Sequence, residues 1–163
     1  MSVELTYRAD ATVKETLTEA GTPSASAGNR LITHNEFNTT AALTGSTTPP
    51  VTKVAAFVQA LTAGAATIDL MSLTGTNGVT VVGDGLKVQL FKMKNLGANV
   101  MSATFGAATP YALAGADFKV VLTQNQEFTF YGNDATPDIS GTVKHIDLAG
   151  TTTQTAEITI VMG

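Results

Sequence analysis

The sequence predicts an all-β protein: an antiparallel β-sandwich, most simply of jelly-roll type, preceded by an extended N-terminal arm. Three observations point there. Charged residues are only 13% of the chain, about half the usual share of roughly 25%. Their place is taken by 28 threonines, 23 alanines and 15 glycines, a mixture that suits pleated, turn-rich structure. Apolar residues also alternate with period two in short segments, and turn residues separate those segments.

Residues 1–50 read as an arm or peripheral strands. Short strand-like pieces there alternate with loose polar stretches, "GTPSASAGN" at 21–29 and "LTGSTTPP" at 43–50. Pro49-Pro50 resists continuation of a helix or central strand, which sets a boundary near Pro50 and a sandwich domain over 51–163. The segment "VTKVAAFVQALTAGA" supports two readings. Val54, Phe57, Val58 and Leu61 sit at helical spacing, with Gly64 where a C-cap would fall. The same residues form a strand if both faces are partly covered. The strand is the preferred reading, paired as a hairpin with "ATIDLMSL" (66–73) through a tight "TAGAA" turn.

Further along, "LKVQLFKMKNL" (86–96) carries a phase shift. Leu86, Val88 and Leu90 share one face, and Phe91 and Met93 then take the other, which is what a β-bulge produces. Strands follow in "ANVMSATFG" (98–106), "ADFKVVLT" (116–123), "QEFTFYG" (126–132), "VKHIDLAG" (143–150) and "AEITIVMG" (156–163). In the last, Ala156, Ile158, Ile160 and Met162 share a face opposite Glu157, Thr159 and Val161.

Charge and composition exclude several chemistries. The net charge is −4 and the nine basic residues never cluster, which argues against a nucleic-acid partner. Without cysteine there is no disulfide, thiol nucleophile or Cys-ligated zinc. The start "MSVELTYRAD" lacks the apolar segment of a secretory leader, and no apolar run approaches the roughly 18 residues of a membrane span. The expectation is a soluble chain with no membrane partner.

Individual motifs favour structure over catalysis. Gly83-Asp84-Gly85 resembles the start of a dinucleotide fingerprint, but the third glycine would fall at 88, which is Val, and a strand follows instead of a helix. "TNG" (76–78) and "GDG" (83–85) read as turns around a short strand, Val79–Val82. His34 and His145 do not form a ligand pair, and His145 reads as an ordinary half-buried or surface histidine. No nucleophile elbow is present. In "YGNDATPDISG" (131–141), Asn133, Asp134 and Asp138 offer oxygen ligands for calcium, but their spacing is ordinary turn chemistry. Tyr131, Tyr111 and Phe105 are candidate sugar-stacking rings, more simply read as core and rim packing. The chain is therefore expected not to be an enzyme, with no catalytic residue, cofactor or metal. Low surface charge, apolar residues on both strand faces and a long arm all favour burial against sister subunits or a larger assembly.

The run "ALTAGAATIDLMSLTGTNGVTVVGDGLKVQLFKMKN", with "GADFKVVLTQNQEFTFYGNDATPDISG" and the terminal "TQTAEITIVMG", resembles virion structural proteins of tailed bacteriophages. It is similar in particular to small jelly-roll head-decoration, or cement, proteins over roughly residues 53–163. The resemblance implies a homotrimer on the outer surface of the virion head, present in the host cytoplasm during assembly. It implies binding to the major capsid protein and stabilisation of the shell by bridging its subunits. The alternative is a glycan- or host-surface-binding sandwich of a phage tail or adhesin.

Overall fold

The computed structural model describes residues 3–9, 13–17, 30–34, 39–75, 78–106, 111–132 and 135–163. In chain order the strands are β1 (Glu4–Ala9), β2 (Val13–Leu17), β3 (Arg30–His34), β4 (Thr39–Thr44), β5 (Lys53–Ala60), β6 (Ala65–Asp69) and β7 (Leu73–Thr74). They continue with β8 (Thr80–Val81), β9 (Val88–Asn95), β10 (Met101–Phe105), β11 (Phe118–Leu122), β12 (Glu127–Tyr131), β13 (His145–Ala149) and β14 (Thr155–Met162). The described residues are all-β, and no helix among them is long and apolar enough to cross a membrane.

Two compact units divide the chain: Thr6–Ala42, and Met1–Leu5 together with Leu43–Gly163. The described residues of the smaller unit are β2 and β3, paired antiparallel from Val13↔His34 to Leu17↔Arg30, and most of β1 and β4, which pair with each other and run past the unit's limits. The larger is a β-sandwich of two four-stranded antiparallel sheets, ordered β12-β9-β14-β5 and β11-β10-β13-β6. Among these eight strands the chain changes sheet at every step except β10 to β11. Strands β7 and β8 form a small separate hairpin.

Alternation explains the core. Ala156, Ile158, Ile160 and Met162 of β14 are all fully buried, facing Phe91 and Met93 of β9 on the same side. The second sheet answers with Met101, Ala103, Phe105, Ile146 and Leu148. Phe91 and Phe105 meet edge to face across the two sheets, with ring centroids 5.3 Å apart, and Phe118 and Phe128 close the cluster around Phe105. Burying one such ring contributes about 1.5–3 kcal/mol.

The phase shift read in 86–96 is a bulge. Val161 pairs with Leu90 but Met162 pairs with Val88, so Gln89 has no partner in the β14 ladder. The region around 54–61 is strand and not helix, but its hairpin with 66–73 is not formed. β5 pairs along its whole length with the C-terminal β14, while β6 pairs with β13 in the other sheet. The "TAGAA" turn does close, with Ala63 and Gly64 at positive φ and a Thr62↔Ala65 bridge. It carries the chain across the sandwich, from β5 in one sheet to β6 in the other.

Candidate functional site

The glycine loop at 83–85 is a structural turn. The Gly83 N–H donates to the Leu70 carbonyl (3.0 Å), the Gly85 N–H to Ile139 (2.9 Å) and the Leu86 N–H to Gly83 (2.9 Å). Donors that would cradle a phosphate are thus spent inside the fold. A side chain at Gly83 would lie 2.7 Å from the Leu70 carbonyl oxygen and 2.9 Å from the Met162 sulfur.

The three candidate sugar-stacking rings separate. Phe105 and Tyr111 are fully buried, and Tyr131, in β12, is half-buried on the outward side of its sheet. Tyr111 is a polar pin within the core. Its hydroxyl accepts from the Val88 N–H (2.9 Å) and donates to the Pro137 carbonyl (2.8 Å). Burial raises its pKa above the ordinary 10.0, against the opposing effect of the Val88 hydrogen bond.

The 131–141 loop faces solvent only in part. Gly132, Thr136 and Ile139 are buried, and Thr136 Oγ1 donates to the Val88 carbonyl (3.3 Å), because the loop packs on the bulged end of β9. Asp138 is exposed and lies 3.9 Å from Lys87 Nζ. Asn133 and Asp134 lie outside the described residues, as do the side chain of His34 and the "TN" of the 76–78 turn. Among the described residues no three acidic or histidine side chains converge where a metal ion could be held.

His145 is half-buried beside a carboxylate that sequence reading did not connect to it. Asp69, at the end of β6, takes Lys144 Nζ at 2.8 Å on one oxygen, with His145 Nε2 at 3.6 Å from the same atom, and the Met71 N–H at 2.9 Å on the other. Partial burial pushes this carboxyl up. The hydrogen bonds from Lys144 and Met71, with the charges of Lys144 and His145, outweigh that and hold it below the usual 3.8. Register β6–β13 creates the cluster by placing His145 opposite Asp69.

Asp69 opens onto a cleft of about 340 Å³ at the side of the sandwich where β5 and β6 are the edge strands. Phe57, Ile68 and Leu73 line it together with Gln59, Thr67, Asp69, Ser72 and Thr74: one ring and two aliphatic side chains beside an amide, hydroxyls and a carboxylate. No family model, curated protein or solved structure matches this chain. Function must therefore be argued from the surfaces themselves.

The most distinctive of these surfaces is the β5 edge. The Leu61 N–H bonds the Gln154 carbonyl (2.8 Å), and the Leu96 N–H bonds Thr155 on the opposite flank of β14. Hydrogen-bonded pairs alternate along an antiparallel ladder. It follows that Ala55, Phe57 and Gln59 direct their backbone groups at β14, whereas Val54, Ala56, Val58 and Ala60 direct theirs away from it. Ala56, Val58 and Ala60 are exposed, Val58 to 61%. The Ala60 carbonyl accepts the Gln59 side-chain amide (2.9 Å).

Proposed function

We propose that the chain is a structural assembly protein that decorates the outer surface of a phage head and stabilises the shell by bridging capsid subunits. The observation that carries this reading is the unit Thr6–Ala42. Its described residues form two-stranded pairings, and a two-stranded ribbon is marginally stable in water unless it packs on something else. A ribbon joined to a rigid sandwich fits a clamp laid across neighbouring subunits, where several modest contacts act together through effective concentration. Sheet order and crossing pattern support the jelly-roll reading of the sandwich. The test is co-sedimentation with heads that lack the protein. Saturable co-migration at a fixed ratio to the major capsid protein, with heads made more heat-resistant, is the expected result; no co-migration at micromolar protein overturns it. Removing residues 6–42 is expected to lower the affinity at least tenfold.

A second reading, glycan binding, has one observation in its favour: the cleft that sets Phe57 among Gln59, Thr67, Asp69 and Ser72. A ring face with hydrogen-bonding groups around it is what a sugar requires. Sugar binding seen by chemical-shift perturbation and abolished by Phe57→Ala would establish this reading. Shifts that ignore the substitution would end it.

A further inference from the structure

We propose that β5 is a self-association edge: two copies join antiparallel through β5 about a two-fold axis at Phe57, making one continuous eight-stranded sheet. The proposal goes beyond head binding and stands without it.

Four edge strands flank the sandwich, and β5 differs from the other three. β6 carries Asp69, β11 carries Lys119 and β12 carries Glu127. Charged side chains are how natural sheets keep edges from pairing. β5 is eight residues long where those three have five, and has no charge from Val54 to Ala60. Its one cation, Lys53, stands at the start and donates to the Val82 carbonyl.

The pattern of outward backbone groups is also self-complementary. With Phe57 on the axis, Ala56 faces the partner's Val58 and Val54 faces the partner's Ala60. All four residues direct N–H and C=O outward; Ala56 and Val58 exchange two hydrogen bonds, and Val54 and Ala60 do so once the Gln59 side-chain amide gives up the Ala60 carbonyl. Side chains agree with this register. Ala56 and Val58 lie on the outward face, because their β14 partners Thr159 and Glu157 do, so a small residue meets a β-branched one across the seam. The half-buried Phe57 meets its own copy on the core side. Lys53 of one copy lies far from that of the other, so no like charges meet.

The same geometry supplies a substitution that reads the edge alone. The Val58 N–H points away from β14, so Val58→Pro removes a donor that the protomer does not use, in an edge position where proline is tolerated. Sedimentation equilibrium of the full chain is expected to give twice the 16.8 kDa protomer mass, and Val58→Pro to give a monomer with the wild-type circular dichroism spectrum. Val58→Lys, which leaves the backbone intact, is expected to weaken the dimer at least tenfold. The chain has no cysteine, so Phe57→Cys reads the axis directly. Its Cα would face its copy at about 4.5 Å, a non-hydrogen-bonded pair, and oxidation should cross-link it. A monomeric wild type, an oligomer unchanged by both Val58 substitutions, or no cross-link at Phe57→Cys would each overturn the proposal.

Discussion

Strand β9 buries a carboxamide at each end and treats the two in opposite ways. Asn95 and Gln89 are both fully buried. Asn95 Nδ2 donates to the carbonyls of Asn99 (2.8 Å) and Leu122 (3.0 Å), and its Oδ1 accepts the Gly97 N–H (2.9 Å). The Gln89 amide nitrogen and oxygen have no hydrogen-bond partner among the described residues. At the Asn95 end a side chain organises the loop, with Gln154 helping by donating to the same Asn99 carbonyl and accepting from Thr151. At the Gln89 end the backbone is organised by others: Tyr111 holds the Val88 N–H, Thr136 the Val88 carbonyl, and Gly132 the Gln89 carbonyl (2.7 Å). Side-chain polarity stabilises this fold only where the groups it faces depend on it. A bulge can carry a polar side chain inside with no such return.

The largest effect should come from the end where the side chain is needed. Asn95→Ala takes a partner from the buried Leu122 carbonyl and from the half-buried Gly97 N–H, while the Asn99 carbonyl keeps Gln154 Nε2; the change should cost about 2–4 kcal/mol, since an orphaned buried group alone costs about 1–3. Urea unfolding checks this through a lower midpoint at unchanged slope. A loss below about 1 kcal/mol would mean that the loop carbonyls find water, and the contrast with Gln89 would fail.

Tyr111→Phe asks the same question of the bulged end. It removes the acceptor of the Val88 N–H and the donor to Pro137, and is expected to cost about 1–3 kcal/mol. It also has a pH signature that Asn95 cannot have. Because the folded-state pKa of Tyr111 lies above 10.0, the unfolded chain gives up this proton first. The hydroxyl's contribution is therefore complete below pH 10 and is lost as pH rises through the folded value. The stability gap between wild type and Tyr111→Phe should narrow above pH 10, whereas the gap to Asn95→Ala stays level.

Much of the fold was legible in the residues, and the reason is locality. Period-two alternation in "AEITIVMG" marks the buried face of β14, and the step from Leu90 to Phe91 marks the bulge, because both signals lie within a few residues of each other. Partner choice is not local. β5 adjoins β6 in sequence yet pairs with β14, nearly a hundred residues away, so the hairpin reading failed. The Asp69–Lys144–His145 cluster and the cleft beside Phe57 depend on that same long-range register, and no spacing motif announces them. Composition cannot say which edge strand goes uncharged over most of its length, as β5 does from Val54 to Ala60, because edge position is set by the same long-range pairing.

The smallest effect has the opposite sign. Gln89 is the residue that the bulge leaves out of the β14 ladder, and it is 0% exposed, between Val88 at 0% and Leu90 at 8%. An unpartnered buried amide destabilises, and replacing it with an apolar group of matching shape removes that cost without orphaning any neighbour. Methionine matches the length and flexibility of glutamine and fills irregular gaps. Gln89→Met should therefore raise stability by about 1 kcal/mol, seen as a higher urea midpoint at unchanged slope. The backbone bonds from Tyr111, Thr136 and Gly132 do not involve the replaced atoms, so the bulge itself should persist. Asn95→Met, the same chemical change six positions along the strand, should destabilise. If both substitutions destabilise alike, β9 needs polarity at its two ends equally, and the difference argued between them is wrong.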